Sequence, residues 1–91
     1  MDSKPKAPEQ KSPREIVKSA VEYYKSVSDN IDVTKLRLEE IVQDDKVWRV
    51  TLSYSQQDPD SIFGGSATRE YKEFHIDAIS GDVKSMTIKK L

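Results

Sequence analysis

One histidine lies between two acidic residues in this sequence, and such a spacing could bind a metal ion or transfer a proton. Glu73, His75 and Asp77 alternate along a run that reads as a β-strand, so their side chains share one face. A metal site normally uses three or four ligands, and the sequence places no second histidine or cysteine beside this run. We therefore interpret the three residues as a polar cluster on a solvent-facing sheet surface, and we predict no metal site.

Two further groups of residues have the composition of chemical sites but read as turns. The pairs Asp44-Asp45 and Asp58-Pro59-Asp60 lie in turn segments, whereas general acid–base catalysis needs carboxylates held in a cleft. The run Gly64-Gly65-Ser66 lacks the preceding strand and following helix that a phosphate-binding loop requires. We predict no catalytic residue and no cofactor, and therefore a protein that is not an enzyme.

Composition and charge exclude several classes of partner. The 91 residues include 15 basic and 16 acidic side chains with a net charge of −1, and the two signs are interspersed. Nucleic-acid and anionic-membrane binders concentrate basic residues on one face, so we expect neither partner. Cysteine is absent, no apolar run approaches the ~20 residues of a membrane span, and the first residues do not read as a signal peptide. We expect a cytoplasmic protein.

The N-terminal part predicts a tail followed by one helix. Residues 1–11 hold prolines and lysines with almost nothing to bury, so we predict a disordered tail before a single domain over residues 12–91. Ser12, Pro13 and Glu15 have the types and spacing of a helix start with a capping box. Apolar residues at helical spacing follow: Ile16, Val17, Ala20, Val21, Tyr24 and Val27. Their stripe predicts a helix that ends near Ser28 and packs on a sheet.

Four strand candidates follow the helix. The runs Val33–Val42, Val47–Ser55, Tyr71–Asp77 and Val83–Ile88 alternate apolar and polar residues, and a bulge near Glu39-Glu40 explains the one break in alternation. We predict an α+β fold in which one N-terminal helix packs on a four-stranded antiparallel meander sheet.

The alternation divides this sheet into a core face and an opposite face. Trp48, Val50, Leu52 and Tyr54 should face the helix, with Trp48 at the centre of the core. The opposite face should carry the polar residues of the strands: Arg49, Thr51, Ser53, Arg69, Tyr71, Glu73, His75, Ser85, Thr87 and Lys89.

The closing hairpin has a distinctive turn, Ile76-Asp77-Ala78-Ile79-Ser80-Gly81-Asp82-Val83, whose glycine can adopt positive φ. Over Phe74–Ser85 it resembles PepSY-like domains, which close with a strand, an aspartate, a small residue, a glycine and an acidic-plus-valine step. The resemblance implies a small, non-catalytic domain, often secreted or membrane-attached, and some of these domains are similar to protease propeptides. One helix on a curved antiparallel sheet is similar to cystatin-like folds as well, although no inhibitory cystatin motif is visible.

The connection Gln56–Ala67 is long for a hairpin loop and contains the apolar pair Ile62-Phe63. We predict that this protein binds another protein, as an inhibitor-like or adaptor-like module. The candidate contact residues are Ile62, Phe63, Arg49, Tyr71 and His75. Two alternatives stay open: a small-ligand-binding domain with a pocket between helix and sheet, and a subunit of a larger assembly.

Overall fold

The computed structural model describes residues 9–57 and 67–90. Helix α1 spans Pro13–Val27, and a short 3-10 helix follows at Val33–Lys35. The strands are β1 (Leu36–Asp44), β2 (Val47–Gln57), β3 (Ala67–Asp77) and β4 (Val83–Ile88). All three strand pairs are antiparallel and the sheet order is β1-β2-β3-β4, so the predicted α+β meander is confirmed. Within the described ranges, α1 is too short and too polar to cross a membrane.

The ends of α1 follow from local chemistry. The Ser12 hydroxyl accepts a hydrogen bond from the Glu15 N–H at 3.2 Å and donates one to Glu15 Oε1 at 3.1 Å. The first of these bonds satisfies a backbone donor that the first turn of a helix leaves without a partner. The Ser28 N–H donates to the Tyr24 carbonyl at 3.1 Å, and Asn30 adopts a left-handed backbone with φ of 58°. The predicted start and end of the helix are therefore confirmed.

The core lies between α1 and one face of the sheet. Ile16, Ala20 and Tyr24 are buried on the inner side of the helix, one turn apart. The Tyr24 ring packs against Tyr54 and Phe74, with ring centroids 6.2 and 5.9 Å apart. The sheet contributes further buried residues: Val50, Leu52, Phe74, Ile76 and Ala78.

Trp48 lies at the rim of this core, and its prediction as the central residue is wrong. It packs on the core cluster but is only partly buried. The fully buried large side chains belong to residues such as Val50, Leu52 and Phe74. Trp48 is the second residue of β2, next to the turn from β1.

The first strand differs from its predicted limits. Asp32 Oδ1 accepts the Thr34 N–H at 3.0 Å and holds Val33–Lys35 in a 3-10 helix, so β1 begins at Leu36 rather than Val33. The register shifts between Leu38 and Glu40, which confirms the predicted bulge.

The hairpin between β2 and β3 is longer than the alternation predicted. Gln56 and Gln57 extend β2, Ala67 begins β3, and Gln57 pairs with Ala67. The predicted loop Gln56–Ala67 is therefore wrong at both ends. Ile62 and Phe63 lie outside the described residues, as do Asp58, Asp60 and the Gly64-Gly65-Ser66 run.

The turn between β3 and β4 is built around Asp77 and Gly81. Asp77 Oδ1 accepts the backbone N–H groups of Ile79 and Ser80 at 2.8 and 2.9 Å, and Gly81 has a φ of 77°. The Lys11 N–H donates to the Ala78 carbonyl at 2.7 Å, so the residue before the helix cap contacts this turn. The predicted positive φ of the glycine is confirmed.

Candidate functional site

The face of the sheet opposite α1 carries the residues that the alternation assigned to it. The strand register places Arg49 opposite His75, and Ser53 opposite Tyr71. On the other side of β3, His75 lies opposite Ser85 and Glu73 opposite Thr87. Among the described residues, no helix lies on this side of the sheet. We call this surface the polar face: Arg37, Glu39, Glu40, Arg49, Thr51, Ser53, Arg69, Tyr71, Glu73, His75, Ser85, Thr87 and Lys89.

Glu73 is the carboxylate on which the central charges of the polar face converge. Its Oε1 lies 3.9 Å from Arg49 Nη1 and 3.8 Å from Lys89 Nζ. Its Oε2 lies 3.2 Å from His75 Nε2. The side chain of Glu73 is 21% exposed, so these contacts form at a partly desolvated site where attraction between charges is less screened.

Lys89 directly follows β4, and its side chain extends across the sheet. Its backbone N–H donates to the Tyr71 carbonyl at 2.9 Å, beyond the end of β4. Its Nζ lies 3.5 Å from Thr51 Oγ1 on β2 and 3.8 Å from a carboxylate oxygen of Glu40 on β1. This long side chain therefore shields Thr51, which is 3% exposed although it belongs to the polar face.

A second polar group lies farther along the hairpin. Arg69 Nη1 donates to the buried hydroxyl of Ser53 at 2.8 Å, and that hydroxyl donates to Glu39 Oε1 at 3.2 Å. Arg37 Nε lies 3.7 Å from the same carboxylate oxygen. Ser53 is fully buried beneath these longer side chains and has hydrogen-bond partners, as a buried hydroxyl requires.

Glu39 and Glu40 were not predicted as members of this surface. Glu40 pairs with Thr51, and the Glu39 side chain accepts from Ser53, so both acidic side chains lie on the polar face. Consecutive strand residues normally point to opposite faces, but a bulge places two residues opposite one. The bulge predicted at Glu39-Glu40 was the sequence signal that both carboxylates reach the same side.

The structure places three of the five predicted contact residues on one face of the sheet. Arg49 and His75 are direct cross-strand neighbours, and Tyr71 lies two pairs farther along the same face, opposite Ser53. All three side chains are partly exposed. The other two predicted contact residues, Ile62 and Phe63, lie outside the described residues. Their role in partner contact therefore stays a prediction.

The run Glu73, His75 and Asp77 does not converge into a set of metal ligands. Asp77 caps the closing turn and lies 3.7 Å from Lys84 Nζ, whereas His75 contacts Glu73. In the described part of the chain, no three histidine or acidic side chains are arranged to hold a metal ion.

Two tyrosines lie between the helix and the sheet, where the small-ligand alternative places its pocket. Tyr24 and Tyr54 are buried against each other, and the Tyr54 hydroxyl accepts the Asp32 N–H at 3.2 Å. Burial raises the pKa of the Tyr24 hydroxyl, and the charge of Glu70 adds to that increase. These contacts make the two tyrosines part of the core.

Apolar side chains are exposed at one edge of the helix side. Val27, Val33 and Leu38 are 51%, 46% and 45% exposed. Leu38 lies on the same face as buried Leu52, but α1 lies mainly over β2, β3 and β4 and leaves β1 less covered. The sequence pattern indicated the face of Leu38 correctly and gave no signal that the helix would be offset from it.

Comparison of the chain with protein-family models, curated proteins and solved structures finds no match.

Proposed function

We propose that this protein is a non-enzymatic domain that binds another protein through the polar face. The observation that supports the proposal is the arrangement of Arg49, Tyr71 and His75 on the side of the sheet opposite α1. Contacts with Glu73 hold the side chains of Arg49 and His75 before any partner arrives, which lowers the entropic cost of binding. Arginine and tyrosine are also residues that dominate protein interfaces.

The contacts favour this function over the small-ligand alternative. A ligand between helix and sheet would have to separate Tyr24 from Tyr54 and Phe74, which lie in ring contact. The polar face, by contrast, is partly exposed and lies on the other side of the sheet. A role as a subunit of a larger assembly uses the same surface, because subunit contacts are protein contacts.

The resemblance to PepSY-like and cystatin-like domains is retained as part of the proposal. Domains of the propeptide-like kind act by binding a protein, which agrees with an inhibitor-like or adaptor-like module. We also propose that this one acts in the cytoplasm.

The test compares capture of partners by the purified protein and by two double variants. Arg49→Thr with Tyr71→Thr removes two side chains of the polar face and keeps residues that favour strands. Lys18→Ala with Glu22→Ala changes the exposed side of α1 and serves as the matched control. Each protein is immobilised, incubated with lysate of the source cells, and its bound proteins are quantified by mass spectrometry.

We expect a protein that is retained by the native chain and by the helix control but lost from the polar-face variant. Thermal melts of all three proteins establish that each is folded. Equal capture by the folded polar-face variant would contradict the proposed surface.

A further inference from the structure

The hydrogen-bonding balance at the centre of the polar face points to the chemistry of the partner. Arg49 Nη1 and Lys89 Nζ approach Glu73 at 3.9 and 3.8 Å, which are ion-pair distances but too long for hydrogen bonds. Lys89 Nζ is equally far from Glu40, at 3.8 Å. The two cations are thus attracted to carboxylates without donating to them.

Arg49 has a donor that the described residues do not satisfy. Its Nε is buried and has no hydrogen-bond partner among them. A guanidinium carries five N–H donors and an ammonium carries three, whereas one carboxylate offers only two acceptor oxygens. The carboxylate nearest to Arg49, that of Glu73, is also shared with His75, whose Nε2 lies 3.2 Å from it.

The cations at the centre of the surface share their carboxylates. Arg49 and Lys89 both lie beside Glu73, and Lys89 also lies beside Glu40. The guanidinium of Arg49 can bind a carboxylate through two parallel hydrogen bonds, which are stronger than bonds between neutral groups.

We propose that the polar face binds an acidic segment of its partner protein, with a partner carboxylate accepting hydrogen bonds from Arg49 beside His75. The proposal rests on the proposed function and names its partner chemistry. The bound carboxylate gives the Arg49 guanidinium an acceptor at hydrogen-bond distance, which Glu73 at 3.9 Å does not. Thr87 and Ser85, which flank Glu73 and His75 on β4, provide hydroxyls for the backbone of the same segment.

The test titrates the isotope-labelled protein with a hexaglutamate peptide whose ends are blocked, and follows the backbone and arginine Nε–H signals by NMR. A hexalysine peptide and a six-thymidine oligonucleotide are titrated in parallel. Arg49→Gln and Lys89→Gln test the surface, and Arg14→Gln on the exposed start of α1 is the control.

We expect saturable shifts at Arg49 and His75 with hexaglutamate and none with hexalysine. Arg49→Gln should weaken the binding about tenfold or more, because it removes charge-assisted hydrogen bonds, and Lys89→Gln should weaken it as well. Arg14→Gln should leave it unchanged. Signal dispersion in each spectrum establishes that the variants are folded.

Two results would overturn the acidic-segment proposal. One is the absence of saturable shifts at Arg49 and His75, or equal binding by folded Arg49→Gln. The other is oligonucleotide binding as tight as that of hexaglutamate, which would indicate general affinity for polyanions. If either occurs while lysate capture still depends on the polar face, the proposed protein-binding function stands and only its acidic partner chemistry is wrong.

Discussion

At the scale of single residues, Glu73 determines how the charges of the polar face are arranged. It lies near Arg49, His75 and Lys89, and is mostly buried by them. Glu73→Gln removes the negative charge that they share, so we expect a loss of about 1 kcal/mol in the free energy of unfolding. Urea denaturation measures the loss.

Glu22→Gln, on the exposed side of α1, is the control for Glu73→Gln and should stay within about 0.5 kcal/mol of the native protein. Equal stability of Glu73→Gln and the native chain would show that the charge contacts around Glu73 contribute nothing to folding.

Asp77 makes stability depend on acid pH. Hydrogen bonds from the Ser80 and Ile79 N–H groups lower the pKa of its carboxyl below the ordinary value of 3.8. Because the folded pKa is the lower one, its contribution is present above about pH 4 and is lost as pH falls through the folded pKa. Asp77→Asn keeps an acceptor oxygen but cannot ionise in this range.

We therefore expect the difference in Tm between the native protein and Asp77→Asn to shrink between pH 5 and roughly pH 2. Thermal melts followed by circular dichroism measure this difference. A difference that stays constant over this range would show that the ionised Asp77 carboxylate does not stabilise the turn.

At the scale of the elements, the start of α1 depends on Ser12. Its hydroxyl accepts a hydrogen bond from the Glu15 N–H, so Ser12→Ala should lower the free energy of unfolding by about 1 kcal/mol.

A chain that begins at Lys11 keeps this cap and the Lys11 contact with Ala78, and it should melt within a few degrees of the full chain. Thermal melts check both changes, and a large loss on removing residues 1–10 would show that they stabilise the domain.

The packing of α1 on the sheet predicts which aromatic residue matters most. Phe74 is fully buried and contacts Tyr23 and Tyr24, so Phe74→Ala should cost about 3–5 kcal/mol. Trp48→Ala should cost less because Trp48 lies at the rim of the core. The reverse order in urea denaturation would place Trp48 at the centre after all.

Local patterns were sufficient to predict most elements of this fold. The cap at Ser12, the turn glycine Gly81 and the bulge near Glu39 each follow from residue types within a few positions. The end of β2 beyond Ser55 and the start of β3 before Tyr71 could not be predicted in this way. The polar residues of these segments belong to the strands because they pair across the hairpin. The rim position of Trp48 and the exposure of Leu38 depend on where the helix crosses the sheet, which alternation does not encode.

For the candidate site, the sequence predicted which face the residues occupy but not all of their side-chain contacts. Alternation placed Arg49, Tyr71 and His75 on one face, and the register confirms that placement. The reach of Lys89 across the sheet to Glu40 depends on the conformation of a long side chain, which sequence spacing does not specify.

At the scale of the whole molecule, the central claim is that the partner contacts the polar face. A photo-reactive benzoylphenylalanine incorporated in place of Thr87 reports on this surface, because Thr87 is exposed and lies opposite Glu73. The same group in place of Glu22 reports on the outer side of α1, and in place of Leu38 on the exposed apolar edge. Each protein is irradiated in the source cells and its crosslinked products are identified by mass spectrometry. We predict a crosslinked partner protein from position 87 and none of it from positions 22 and 38, whereas the same partner crosslinked from 22 or 38 but not from 87 would contradict the account.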